Sequence, residues 1–134
     1  MKQRLPVMVS ASAMVLLTLS GGPIFAHHSV SAQYLFGKSA TIEGTLKEFV
    51  WRNPHSFMKV EAPDEKGETQ TWTIEGAAPN QLTEAGLTAT SLRPGDHVIV
   101  TGRPGRTTED HRLLLYTIER PSDGFSFRGN NAPE

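Results

Sequence analysis

From residue 38 onward apolar and polar positions alternate with a period of two, the pattern of half-buried β-strands. In Thr41-Ile42-Glu43-Gly44-Thr45-Leu46, positions 42, 44 and 46 take one face and 41, 43 and 45 the other. Phe49 and Trp51 fall on the opposite phase to Leu46. That shift predicts a long, bent first strand with a bulge between Gly44 and Glu48. Asn53-Pro54 signals a turn. A second strand is predicted over residues 55–61, with Met58 and Val60 on one face and His55 and Phe57 on the other. A polar loop at 63–68 leads to a third strand over 69–75, with Trp72 and Ile74 inward.

The period then changes. Residues 79–85 read as a short helix, with Pro79 suited to its first turn and Gly86 to its stop. Asn80 and Gln81 read as capping groups. A turn at 91–96 precedes a fourth strand at 97–101, and a fifth follows at 111–119. Residues 27–37 form an arm without clear period, and 121–134 a tail expected to be disordered. The order of three strands, a helix and two strands is that of the mainly β, five-stranded OB barrel, here over residues 38–120. Barrel closure would hide the sheet edges of so short a chain. An open five-stranded antiparallel sheet with one helix is the competing architecture. The expected core is Ile42, Leu46, Met58, Val60, Trp72, Ile74, Val98 and Val100.

The first 26 residues have another character. Lys2 and Arg4 precede an apolar run over 7–19, and Ser20-Gly21-Gly22-Pro23 ends any helix. Ile24 and Ala26 occupy the −3 and −1 positions of a cleavage site. This is the pattern of a secretory signal peptide. The run is shorter than the ~20 residues a membrane anchor needs. The absence of cysteine excludes a lipoprotein linkage. Cleavage after Ala26 would leave His27 at the start of a periplasmic or secreted protein with no membrane span.

Composition narrows the chemistry. Losing Lys2 and Arg4 with the leader takes the basic count from 13 to 11 against 14 acidic residues, a formal charge of −3. Such a balance gives no electrostatic case for nucleic acid. Without cysteine there are no disulfides, thiolate metal sites or thiol nucleophiles. Of the four methionines only Met58 lies beyond the leader, so a methionine-rich cuprous site is excluded.

Five segments together resemble a known family. They are Ala26-His27-His28-Ser29, Gly44-Thr45-Leu46, Trp51-Arg52-Asn53-Pro54-His55-Ser56, Trp72-Thr73-Ile74-Glu75-Gly76 with Pro79-Asn80, and Leu92-Arg93-Pro94-Gly95-Asp96. The resemblance is to small exported bacterial proteins grouped as domain of unknown function 6152, and it spans nearly the whole mature chain. It implies export and a small β domain, and carries no established activity.

The candidate chemistry lies in five histidines: His27, His28, His55, His97 and His111. A histidine at a free amino terminus presents an amine and an imidazole to one metal ion. Imidazole suits copper, zinc and nickel. The candidate copper ligands are therefore His27, His28 and His55, the last because Pro54 stiffens a turn before it. His97 and His111 begin the fourth and fifth strands, which would bring them together at one barrel end. The bland alternative is that all five are solvated surface groups. Trp51, Phe57 and Trp72 are either core or an aromatic ligand surface, with core favoured. Arg103 and Arg106 flank Pro104-Gly105 in a loop read as solvated rather than anion-binding.

Catalysis has little support. His55 and Ser56 are strand neighbours and would face opposite sides. Asp64 and Glu65 read as solvated loop charge, and Glu43, Glu61 and Glu75 lack an obvious partner. The chain therefore reads as an exported, non-enzymatic binding domain with a candidate copper site. Its rivals are a metal-free module that docks a periplasmic protein or envelope ligand, and an accessory subunit of a periplasmic redox enzyme.

Overall fold

The computed structural model describes residues 30–134. The leader, His27 and His28 lie outside the described residues. A short helix α1 (Val30–Gln33) precedes β1 (Ala40–Val50), β2 (Phe57–Pro63) and β3 (Thr69–Glu75). Helix α2 (Pro79–Glu84) leads to β4 (His97–Pro104), a 3-10 turn at Thr108–Asp110, β5 (Arg112–Arg120) and β6 (Phe125–Arg128). The sheet order is β3-β2-β1-β4-β5-β6, and β3 also pairs with β5. That last pairing is parallel and closes β1 to β5 into a barrel. The architecture is the expected OB type with one added strand.

β1 does double duty. Its first half, from Ala40 to Thr45, pairs with β4, and its second half, from Thr45 to Val50, pairs with β2. The register slips between Leu46 and Glu48, so the bulge falls within the predicted interval. Gly44 sits where the strand bends across β2. A Cβ there would stand 1.9 Å from the Glu61 carbonyl oxygen, so only glycine fits. β4 has a matching irregularity at Thr101/Gly102.

Ile42, Leu46, Met58, Val60, Ile74, Val98 and Val100 are all buried, as their period requires. Leu82 from α2, with Leu87 and Leu92 beyond it, joins them, as do Leu113, Leu115 and Ile118 from β5. Trp72 departs from the expected set. It is only partly buried at the edge of the core, where its Nε1 donates to the Ala62 carbonyl at 3.2 Å. The Gln81 side chain caps α2, its Oε1 accepting from the Ala78 N–H at 3.3 Å. Gly86 follows the helix with φ of +95°.

Two segments without visible period are ordered. The tail contains β6, which pairs antiparallel with β5 and buries Phe127. A four-residue strand carries too few alternations to stand out in sequence. Its order comes from hydrogen bonding to β5 where β3 no longer covers that strand. The arm is seated by the Leu35 N–H on the Pro104 carbonyl at 2.9 Å and the Arg106 N–H on the Gln33 carbonyl at 2.9 Å. Tyr34, in isolated β pairing with Gly105, is 1% exposed. His97 and His111 do not meet. β4 and β5 run antiparallel with Pro104 opposite Leu113 and Ile99 opposite Glu119, which puts the two histidines at opposite ends of that ladder.

Candidate functional site around Glu75

Glu75 ends β3 and is 9% exposed. A carboxylate removed from water needs charged or hydrogen-bonding partners, and this one has three. Its Oε1 accepts from His55 Nδ1 at 2.6 Å. Its Oε2 accepts from the Tyr34 hydroxyl at 2.5 Å and from Arg112 Nη2 at 3.2 Å. Arg112 Nη2 also lies 3.4 Å from the Tyr34 oxygen, so the four side chains form one network.

Each partner is delivered by a different element. His55 precedes β2, whose Phe57 is the register partner of Glu75. The Ser56 N–H donates to the Ala77 carbonyl and the Gly76 N–H to the Ser56 carbonyl, which pins the loop beside the end of β3. Arg112 opens β5 opposite Thr73, two residues from Glu75 on the same strand face. Tyr34 arrives with the arm. Burial pushes the Tyr34 phenol well above its ordinary pKa, as do the hydrogen bond and charge of Glu75, while Arg112 opposes the shift. Tyr34 therefore stays protonated and serves as a fixed donor.

An ionised carboxylate can only accept, so His55 Nδ1 carries the proton of that bond. In a neutral ring the lone pair then sits on Nε2. That nitrogen makes no hydrogen bond among the described residues, and the His55 side chain is 50% exposed. It lines a groove of about 270 Å³ together with Val30, Gln81 and Asn131.

Of the three candidate metal ligands the structure describes only His55. Among the described residues no group of three or more His, Asp or Glu side chains is placed to hold a metal ion. His97 Nε2 bonds to Glu43 Oε1 at 2.8 Å on the surface. His111 stands edge-on to Trp72 at 5.1 Å, with its Nε2 3.8 Å from Asp64. Ser56 is buried with its hydroxyl unpartnered and makes no bond to the outward His55. Phe57 and Trp72 line different grooves and Trp51 packs edge-on to Phe49, so the aromatics build no common platform.

Glu75, read from sequence as partnerless, is the centre of the network. Tyr34 and Arg112 carried no sequence signal. Their separations from Glu75 are 41 and 37 residues, beyond any local period.

These elements define an OB-type β-barrel with a buried carboxylate orienting a half-exposed histidine. The chain belongs to the family of unknown function DUF6152, whose model matches residues 15–114. No curated protein matches it significantly. Among solved structures it is similar to the mitochondrial single-stranded DNA-binding protein Rim1 of S. cerevisiae, at 19% identity and a TM-score of 0.39. The match covers 66% of this chain and 79% of that one. A likeness at that level says nothing about what this chain binds. Among the described residues no helix is long and apolar enough to cross a membrane.

Proposed function

We propose that this protein is exported, loses residues 1–26, and acts as a small binding domain that holds a cupric ion between its amino-terminal histidine and His55. One observation carries the reading: His55 gives Nδ1 to Glu75, its Nε2 makes no hydrogen bond among the described residues, and it lines a groove that Val30 also lines. Metal-ligating histidines commonly donate their second ring nitrogen to a carboxylate, which fixes the tautomer and raises the basicity of the other. Val30 brings the arm to the same groove. His27 lies three residues before Val30. At about 3.3–3.6 Å per residue, three residues of chain put the His27 Cα no more than ~11 Å from that of Val30. His28 is the further candidate ligand. Imidazole and amine nitrogens together suit copper better than magnesium or calcium. We read the role as binding rather than catalysis, a reading supported by the burial of Ser56, which leaves His55 without that neighbouring hydroxyl to activate.

The test uses protein beginning at His27 and protein with one extra residue before it, each with and without His55→Ala. Copper affinity and electron paramagnetic resonance are measured on all four. His55→Ala should weaken the native form and leave the extended form nearly unchanged, because the added residue replaces the free amine with an amide. Equal effects in both forms would mean that the histidines bind independently, and the shared site would be wrong. Absence of copper binding by the native form would leave the metal-free interaction module as the reading.

A further inference from the structure

We infer a second binding site, separate from the His55 groove, that takes a small organic acid through its phosphoryl or carboxylate oxygens. The site is a groove of about 520 Å³ on the outer face of the barrel. On β2, Phe57 and Lys59 point outward between the buried Met58 and Val60, and they form part of its lining. Three cations converge there from separate elements: Arg52 from the loop after β1, Lys59 from β2 and Arg112 from β5. A single acid, Asp110, lines the same space. The whole chain has the opposite balance, with 14 acidic against 13 basic residues.

Two of the three cations, Arg52 and Lys59, are held but not neutralised, while Arg112 is paired with Glu75 at 3.2 Å. Arg52 lies over the Phe57 ring, 5.5 Å from its centroid. Lys59 Nζ donates to Thr73 Oγ1 at 2.9 Å. Among the described residues neither forms an ion pair, although Glu48 is the register partner of Lys59 across β1. An ammonium has three donors, and a neutral hydroxyl uses one of them without cancelling the charge. Among the described residues Arg112 bonds through Nη2, to Glu75 and Tyr34, and its Nη1 makes no hydrogen bond. Its planar fork therefore keeps donor capacity beside the groove.

This donor set selects its ligand. Guanidinium and ammonium groups match phosphate and carboxylate oxygens, in the guanidinium case with two parallel bonds. The volume lies within the ~300–1,000 Å³ typical of small-molecule clefts and exceeds what a bare inorganic ion fills. Val50 and Phe57 supply apolar surface for the remainder of the ligand. A single-stranded nucleic acid fits less well. It needs successive aromatic faces for its bases, and Phe57 is the single aromatic ring among the residues lining this groove.

The experiment is an amide chemical-shift titration of metal-free protein with pyrophosphate and, separately, with citrate. At least one should give saturable shifts at Val50, Phe57 and Thr73. The stronger of the two identifies phosphoryl or carboxylate as the preferred group. Lys59→Gln and Arg52→Gln, both surface changes that leave the rest of the spectrum intact, should each weaken binding about tenfold, roughly 1.4 kcal/mol. Lys47→Gln removes a lysine already paired with Glu61 and should leave the affinity unchanged. Non-saturable shifts, or equal weakening by Lys47→Gln, would show general ionic attraction and overturn the proposal. So would the absence of any shift with both compounds.

Discussion

The Tyr34 hydroxyl donates to Glu75 Oε2 at 2.5 Å, joining the amino-terminal arm to the end of β3. The arm is also held to the end of β4 and the loop after it by backbone bonds, by the Arg106 Nε bond to the Ser31 carbonyl and by Arg103 over the Phe36 ring. Through this one contact the arm, the His55 loop and β5 share a carboxylate.

Tyr34→Phe keeps the buried ring and removes the donor. Glu75 then loses one of three partners at a largely buried position, which should cost about 1–3 kcal/mol in urea unfolding. The same variant has a pH signature. The Tyr34 phenol titrates higher in the folded chain than in the unfolded one. Its stabilisation is therefore complete below the unfolded value, about 10, and is lost as pH rises above it. Wild-type stability should fall with rising pH in that range, and Tyr34→Phe should fall less steeply. Parallel curves for the two proteins would mean that Tyr34 is not shielded from ionisation.

The opposite dependence is expected at the other end of the barrel. Arg120 pairs with Asp96 at 2.7 Å and with Asp123 at 2.8 Å. Burial pushes the Asp96 carboxyl up, but the Arg93 backbone N–H and the Arg120 hydrogen bond and charge outweigh it and hold it below the ordinary range. Asp123 is lowered first by its hydrogen bond to Arg120. A depressed carboxyl stabilises above its unfolded pKa, near 3.9, and that contribution is lost as pH falls through the lower folded value. Arg120→Gln should flatten the acid limb of the stability profile below about pH 4. An unaltered acid limb would show that both pairs are fully screened by solvent.

Gly44→Ala tests the bend in β1. The added Cβ would meet the Glu61 carbonyl oxygen at 1.9 Å and the Ala62 Cβ at 2.9 Å, so two strands must separate. The cost should reach or exceed the 1–3 kcal/mol typical of an overpacked core, on the order of half the stability of a marginal domain. Gly67→Ala is a poor control because its φ of +79° adds its own strain. Thr71→Ala, on an exposed strand position, serves better and should change the melting temperature little.

What could be read without a structure was local. The strand period placed Ile42, Leu46, Met58, Val60, Ile74, Val98 and Val100 inside because neighbouring side chains on a strand alternate in direction whatever surrounds them. The phase slip after Leu46 exposed the bulge for the same reason, and the order of strands and helix led to the barrel. What only the tertiary structure decided depends on elements far apart in sequence. Tyr34, His55 and Arg112 stand 41, 20 and 37 residues from Glu75, and no short-range pattern records that they meet. The antiparallel course of β4 and β5 separates His97 from His111, although each precedes or begins a strand. Phe127 is core only because β5 offers its edge to a four-residue strand. Trp72 looks inward by phase but sits at the rim, where the sheet's end leaves its indole partly open to solvent and satisfied by the Ala62 carbonyl. Period reports which way a side chain points; the closure of the barrel decides what it finds there.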